Sequence, residues 1–269
     1  MLWKRVVSAV IPLPLILATI HYAPTWGWAI FVAVVTAIAH FEFLTITGGG
    51  RTFAEKLALT VLGGAALLSI GFFPGRFLGE LVAGAILVPF LWVLFSPGDM
   101  RTAYPRAASI TVSYFYVVGL MSFLVWLHLL PEGRSWIYVS FFVAWAGDTG
   151  AYFAGRAFGK HKLYALVSPK KTWEGAIGGL LGSLGGTLLA KFWFFPALTY
   201  LDCVLVAIPG GAIGQMGDLC ESLLKRSYDV KDSGTILPGH GGILDRADAL
   251  MFVMPWVFLC AVRFHPVGG

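Results

Sequence analysis

The sequence predicts an all-α, polytopic integral membrane protein. Of its 269 residues, 58% are hydrophobic and only 12% are charged, and the mean hydropathy is +0.79. Continuously apolar segments of about 20 residues, the length that an α-helix needs to cross a bilayer, recur from end to end. A transmembrane β-barrel would show short segments of alternating polarity, and that pattern is absent.

Nine membrane-spanning helices are expected, separated by breaks rich in proline and glycine, as at Gly48–Gly50, Pro131 and Pro196. The predicted helices lie near residues 5–22, 25–44, 57–74, 80–96, 107–130, 136–155, 174–194, 200–218 and 248–264. The first one follows Lys4 and Arg5, as a signal peptide would. It lacks a clear small-x-small cleavage site, so we expect a retained helix.

The distribution of basic residues predicts the topology. With the N-terminus in the cytoplasm, fifteen of the 19 lysines and arginines fall on the cytoplasmic side. Only Arg76, Arg134, Lys191 and Arg263 fall on the other side. Cytoplasmic loops carry such an excess of lysine and arginine. The two long loops, 156–173 and 219–247, are therefore expected in the cytoplasm, and the net charge of +5 reflects topology rather than a nucleic-acid partner.

Several carboxylates lie near the cytoplasmic ends of the predicted helices. Carboxylates at membrane depth are costly and usually face an internal polar cavity. We therefore expect the last four helices to form a polar pocket in the cytoplasmic half of the membrane domain. Its carboxylates are Asp148, Glu174, Asp218, Asp245 and Asp248, with Glu42 at the same depth on the second helix.

The segment from Trp145 to Lys160 carries the first candidate group. Asp148, Tyr152 and Gly155 share one face of a helix, at i, i+4 and i+7. The small residues of this helix permit close approach of a second helix or of a ligand. Asp148 is thus a metal-site candidate. The alternative is a glycine packing face on which a neighbouring hydroxyl satisfies Asp148.

The segment Ser168–Gly175 predicts a helix start beside two lysines. Ser168 or Thr172 can cap the helix, and Pro169 fits its first residue. Lys170 and Lys171 then make the helix N-terminus a suitable anion site. The same lysines can instead anchor the loop to anionic lipid headgroups, worth about 1 kcal/mol per residue. The two roles are compatible.

The segment from Asp218 to Asp248 holds six of the 14 acidic residues. A solvated loop between two helices is the simplest interpretation. However, four of its residues stack on one helical face at i, i+3, i+4 and i+7, namely Asp218, Glu221, Ser222 and Lys225. Asp245 and Asp248 lie three apart at the start of the last helix, and Pro238–Gly242 forms a turn whose backbone can approach a ligand.

These residue types indicate phosphoryl or nucleotidyl transfer. Carboxylates without a Cys/His set suit Mg²⁺ better than zinc, and the adjacent lysines and arginines suit phosphate oxygens. Positioning and charge neutralisation supply most of the catalysis in such reactions. Neither a GxxxxGK[ST] loop nor a GxGxxG loop is present, which excludes the common soluble nucleotide-binding folds.

A long, gapless pattern resembles the signature of the phosphatidate cytidylyltransferase, or CDP-diacylglycerol synthase, family. It reads Ser222-x2-Lys225-Arg226-x4-Lys231-Asp232-x-Gly234, followed by Pro238-x-His240-Gly241-Gly242-x2-Asp245-Arg246-x-Asp248. The blocks around Asp148 and Ser168–Thr172 are also similar to that family. Together the matching blocks cover about residues 145–248, and the first five helices match by hydropathy alone.

The resemblance implies a nucleotidyltransferase of phospholipid biosynthesis that joins CTP and phosphatidic acid, giving CDP-diacylglycerol and pyrophosphate with Mg²⁺. It implies a multi-pass protein of the inner (plasma) membrane whose active site faces the cytoplasm. Residues 1–135 would form scaffold helices and residues 136–269 the catalytic part of one continuous membrane domain. A second cation and a homodimer are left open.

The resemblance also assigns roles to residues. Asp218 and Asp245 would hold the metal, assisted by Asp148 and Asp248. The basic residues expected to bind phosphate oxygens of the substrates are Lys170, Lys171, Lys225, Arg226, Lys231 and Arg246. The remaining substrate-binding candidates are Ser168, Thr172, Ser222 and Asp232, with His240, Gly241 and Gly242 shaping the nucleotide pocket.

Two alternatives stay open at the level of the sequence. One is another CTP-dependent membrane lipid enzyme, either a polyprenol kinase or an ether-lipid cytidylyltransferase. The other is an ion-coupled transporter, whose polar residues would lie near the bilayer centre. Here the polar residues cluster at one face of the membrane, which favours the enzyme.

Overall fold

The computed structural model describes residues 12–48, 50–75, 78–96, 98–236 and 241–264. It contains two compact units. The first comprises Met1–Trp126 with Asp232–Asp245, and the second comprises Leu127–Lys231 with Arg246–Gly269. The predicted roles of Lys4, Arg5, Arg76 and His240 fall outside the described residues.

The first unit is built from helices. Their bounds are α1 Pro12–Tyr22, α2 Thr25–Thr47, α3 Phe53–Phe72, α4 Leu78–Phe95, α5 Met100–Ser113, a π-helix π1 Tyr114–Gly119, and α6 Leu120–Leu129, which reaches into the second unit. Side-chain caps set two of the helix starts. Thr52 accepts from the backbone N–H of Glu55 at 3.2 Å, and Asp99 accepts from that of Arg101 at 2.9 Å.

Buried aromatic side chains join the helices of the first unit. The Trp28 indole is fully buried and donates to the backbone oxygen of Leu124 at 2.9 Å. The Tyr114 hydroxyl donates to the backbone oxygen of Leu59 at 2.8 Å. Both polar groups therefore have a hydrogen-bond partner inside the apolar core. Burying either group without such a partner would cost free energy.

The second unit contains long helices and one short hairpin. Their bounds are α7 Gly133–Phe158, β1 Lys162–Tyr164, β2 Ser168–Thr172, α8 Trp173–Trp193, α9 Tyr200–Ser227 and α10 Leu244–Phe264, of which the first two residues belong to the first unit. The strands pair antiparallel, with Lys162 opposite Thr172. Thr172 caps α8, accepting from Gly175 N at 3.1 Å, and Thr199 with Asp202 forms a capping box on α9.

Glycines let α7 and α8 pack with their backbones in contact. A Cβ added at Gly150 would collide with the backbone oxygen of Gly178, and one at Gly182 would collide with that of Ala146. The buried Ser183 hydroxyl donates to Val143 O at 2.8 Å across the same contact. Small residues are the usual means of close helix packing in membranes.

The predicted all-α membrane fold is confirmed, with corrections to element bounds. Nine continuous helical segments in the described ranges occupy the regions of the nine predicted helices. Five of them are long and apolar enough to cross a bilayer by length and composition: Thr25–Thr47, Phe53–Phe72, Met100–Leu129, Trp173–Trp193 and Tyr200–Ser227. The number of spans and their orientation stay predictions.

Two of the predicted loops are shorter than expected. The helix predicted to end at residue 218 continues to Ser227, and the last helix begins at Leu244 rather than at 248. The loop predicted at 156–173 contains the β1–β2 hairpin. Polar residues lower the local hydropathy at these helix ends, although the backbone there is still helical. Helices predicted from hydropathy alone are therefore too short at these ends.

Candidate active site

Three carboxylates from three helices of the second unit lie near one another. They are Asp148 on α7, Asp218 on α9 and Asp248 on α10. Asp218 is close enough to interact electrostatically with both of the others, and Asp148 with Asp248. The sequence predicted these three as metal-site residues, and the fold brings them together.

A glycine permits this approach of α9 and α10. A Cβ at Gly217, the residue before Asp218, would meet the backbone oxygen of Asp248 at 2.7 Å and the Phe252 ring at 2.7 Å. Such a contact is too short for a real Cβ, so only glycine lets the two helices approach so closely here. Asp248 is also held locally, because its Oδ1 accepts from the backbone N–H of Ala249 at 2.7 Å.

Lys171 of the hairpin supplies a cation to this group. Its Nζ lies 2.6 Å from Asp218 Oδ2, and Ser222 Oγ lies 3.4 Å from Asp218 Oδ1. Both Lys171 and Asp218 are partly exposed. The predicted helical spacing of Asp218 and Ser222 is thus realised on α9, while the pairing with Lys171 was not predicted.

Two further basic residues act on the carboxylates. Lys225 interacts electrostatically with Asp248, and Arg246 interacts with Asp148. Lys225 Nζ also lies 2.5 Å from Oε2 of Glu221, which is fully buried one turn before it on α9. Together with Lys171, these residues place basic side chains within electrostatic range of the carboxylates. We call Asp148, Asp218, Asp248, Lys171, Lys225 and Arg246 the charged cluster.

The charged cluster fits a hard divalent cation by its chemistry. Three neighbouring carboxylates repel one another, and Mg²⁺ prefers such oxygen ligands. Across the described ranges, His, Cys, Asp and Glu side chains do not converge in groups of three at metal-binding geometry. The carboxylate oxygens of the charged cluster are therefore suitable ligands for Mg²⁺. Their positions in this structure do not form a complete coordination shell.

Asp245, predicted as the second main metal ligand, lies in the first turn of α10, in the part of that helix that belongs to the first unit, and is hydrogen-bonded to the preceding loop. Its Oδ2 accepts from the backbone N–H groups of Ser233 and Gly242, each at 2.8 Å, and lies 2.9 Å from Ser233 Oγ. Gly241 beside it has a φ of +78°, which favours glycine. The contacts of Asp245 in this structure thus hold the loop together.

The other predicted substrate-binding residues are dispersed over the second unit and the loop. Thr172 is buried and serves as the cap of α8, so its hydroxyl is already engaged. Ser168 is half-buried on β2, while the remaining basic and acidic candidates are exposed: Lys170, Arg226, Lys231 and Asp232. Glu174, a predicted pocket carboxylate, pairs instead with the His161 ring at 2.6 Å.

Sequence reasoning left two residues out of the site. Glu42 was noted only for its depth, and Ser233 was not considered, yet Glu42 Oε2 lies 3.1 Å from Ser233 Oγ. An ionisable side chain in an apolar helix is by itself a reason to look for a functional partner. That signal was present at Glu42, but the partner lies 191 positions away.

The chain is similar to known proteins along most of its length. The model of the cytidylyltransferase family matches residues 3–264. Proteins named phosphatidate cytidylyltransferase from Staphylococcus haemolyticus and Bacillus subtilis are 47% and 40% identical to this chain, over 61% and 60% of its length. One from Staphylococcus aureus (strain COL) is 43% identical over 69% of this chain and 70% of its own length.

The chain spans about three fifths of the length of the first two relatives, 62% and 60% respectively. The family model, by contrast, covers nearly all of this chain, including both the charged cluster and Asp245. The chain belongs to the cytidylyltransferase family.

Proposed function

We propose that this protein transfers the cytidylyl group of CTP to phosphatidic acid, giving CDP-diacylglycerol and pyrophosphate. The observation that carries the proposal is the charged cluster, in which three carboxylates and three cations from α7, α9, α10 and β2 lie together. Such a mixture suits two polyphosphate-bearing substrates and a divalent cation. The names of the relatives support the same activity.

The reaction needs little acid–base chemistry from the protein. A phosphate oxygen of phosphatidic acid attacks the α-phosphorus of CTP in line, and the bond from that phosphorus to the bridging oxygen of pyrophosphate breaks. The attacking monoester is largely ionised at neutral pH, because its second pKa is about 6. The residues therefore have to position two anions against their mutual repulsion.

Lys171, Lys225 and Arg246 are the groups we assign to this task. Each lies within electrostatic range of the carboxylates. Arginine can hold two phosphate oxygens at once, while lysine acts as a point charge. Arg226, Lys231 and Lys170 are exposed and would guide the nucleotide from the cytoplasm.

We assign Mg²⁺ to the carboxylates of Asp218, Asp148 and Asp248, with Asp245 as a further candidate ligand. When bound, the ion would neutralise phosphate charge and orient the nucleotide. The mutual repulsion of the carboxylates supports this assignment. Binding of Mn²⁺ as a paramagnetic substitute tests it without reference to activity.

We further propose that the protein lies in the inner, or plasma, membrane with the charged cluster facing the cytoplasm. The apolar helices and the excess of basic residues in the predicted cytoplasmic loops support this orientation. CTP would then enter from the cytoplasm, and the lipid would enter sideways from the bilayer.

The decisive experiment follows the phosphorus atoms. Detergent-purified protein is incubated with CTP labelled at the α- or at the γ-phosphate, with and without phosphatidic acid. The proposal expects α-label in the lipid and γ-label in pyrophosphate, only with phosphatidic acid present. Transfer of γ-label to a lipid would indicate a kinase, and absence of both products in folded protein would refute the proposal.

A further inference from the structure

Glu42 is a buried carboxylate in the apolar helix α2, only 4% exposed. Its Oε1 accepts from the backbone N–H of Ile243 at 3.1 Å. Its Oε2 accepts from that of Leu244 at 2.9 Å and lies 3.1 Å from Ser233 Oγ. These contacts lie within the first unit. One carboxylate therefore binds two parts of the same loop.

The contacts of Glu42 fall on the start of α10. The first N–H groups of a helix have no partner within the helix, and this end of the helix dipole is positive. Glu42 satisfies the N–H of Leu244, the first residue of α10, and Ser233 Oγ accepts from that of Asp245 at 3.3 Å. A residue of α2 thus caps a helix that starts 202 positions later.

Two glycines make room for this carboxylate. A Cβ at Gly234 or at Gly242 would collide with the carboxylate oxygens of Glu42. Both glycines belong to the loop that Glu42 binds, so the loop closes around the carboxylate with no space for a larger side chain. This fit makes the orientation of the first turn of α10 depend on Glu42.

We propose that Glu42 is a positioning residue of the transfer reaction. By holding the first turn of α10, it sets the direction in which that helix presents Arg246 and Asp248, two and four residues after Leu244. This inference rests on the proposed function. Removing an outer partner of a site residue typically lowers activity about 10- to 100-fold, and a 1 Å misplacement can cost about 100-fold.

Glu42→Gln tests the proposal. Glutamine keeps the size of the side chain but places an N–H₂ group against one of the backbone N–H donors. We expect kcat to fall about 10- to 100-fold while KM for CTP stays within about threefold, because Glu42 does not touch the substrate. The amides of Ile243 and Leu244 should also exchange with deuterium faster, since their acceptor is weakened.

Asp202→Asn is the matched control. Asp202 also places a carboxylate at a helix N-terminus, where its Oδ2 accepts from Thr199 N at 2.7 Å, but at the opposite end of α9 from the charged cluster. It should lower thermal stability and leave kcat within about twofold of the wild type. Ser233→Ala, which removes the hydroxyl between Glu42 and Asp245, should show the Glu42→Gln pattern in weaker form.

Three results would overturn the proposal. They are unchanged kcat in Glu42→Gln, a loss of kcat that merely follows the folded fraction, and loss of folded protein in both Glu42→Gln and Ser233→Ala. Failure of the proposed function is separable. If folded wild-type protein makes no CDP-lipid, that function is wrong, while the amide exchange still reports whether Glu42 holds α10.

Discussion

At the scale of single residues, Lys171 and Asp218 set the charge balance of the candidate site. Their side chains are 23% and 32% exposed, and their charged atoms are 2.6 Å apart. The Lys171 Nζ atom itself is shielded from solvent, so this is not a surface salt bridge, and removing either partner would leave the other charge poorly compensated. The value of this contact lies in placing an ammonium group where anionic substrates would meet the carboxylates.

Asp218→Asn is expected to abolish nearly all CTP-dependent product formation, at least about 100-fold, because it removes a charge from the centre of the cluster. Mn²⁺ binding measured by electron paramagnetic resonance should weaken in parallel. Asp202→Asn serves again as the control, because it leaves the charged cluster unchanged and should not alter Mn²⁺ binding. Near wild-type turnover of folded Asp218→Asn across a range of Mg²⁺ concentrations would show that the metal assignment is wrong.

Asp245→Asn should separate two roles of Asp245. The change weakens the hydrogen bonds from Ser233 and Gly242, which predicts a loss of about 1–3 kcal/mol in the free energy of unfolding, measured by denaturation in detergent. If Asp245 is also a metal ligand, as the sequence predicts, activity and Mn²⁺ affinity fall as well. Reduced stability with unchanged Mn²⁺ affinity would contradict the ligand role.

At the scale of elements, the backbone contact between α7 and α8 positions two parts of the site. Asp148 lies on α7, and Lys171 lies on the hairpin that joins α7 to α8. The glycines at this contact keep the two helices close, so the hairpin returns to the same end of the pair. The packing of apolar helices thereby decides where a charged residue of the loop is held.

Substitutions on α8 test this role of packing. Gly182→Ala should destabilise the protein by about 1–3 kcal/mol, because its Cβ would press on the backbone of Ala146. Gly185→Ala, three residues further on the same helix, has no atom within 4 Å of its new Cβ and should be neutral or slightly stabilising. Thermal unfolding in detergent compares them, and equal effects would argue against the packing explanation.

At the scale of the whole molecule, the distribution of charge and the apolar helices define a membrane protein with one predicted cytoplasmic face. The excess of lysine and arginine residues on that face favours insertion of the protein with its long loops in the cytoplasm. Those loops carry most of the substrate-binding candidates. The predicted orientation and the proposed function are therefore linked, since CTP is a charged cytoplasmic metabolite that does not cross the bilayer unaided.

Cysteine labelling tests the orientation. Ser227 at the end of α9 and Pro131 before α7 are both exposed, and each is replaced by cysteine in a chain whose three native cysteines are alanine. An impermeant maleimide should label Ser227→Cys only from the cytoplasmic side and Pro131→Cys only from the outer side. Labelling of both positions from one side would show that the predicted topology is wrong.

The sequence alone predicts the helices and much of the chemistry, because hydropathy and helical spacing are local properties. The apolar runs marked all nine helical regions, and the spacing of Asp218, Ser222 and Lys225 predicted one helical face, which α9 provides. The predicted bounds of some helices were wrong because charged residues lower the hydropathy at helix ends, although the backbone there is still helical.

Only the tertiary structure decided which charged groups meet. The pairing of Lys171 with Asp218 depends on how α7 and α8 pack, and the binding of Glu42 to the start of α10 joins residues 202 positions apart. Contacts across such distances leave no periodic trace in the chain. They arise because buried polar groups must find partners, and the fold alone determines which partners are within reach.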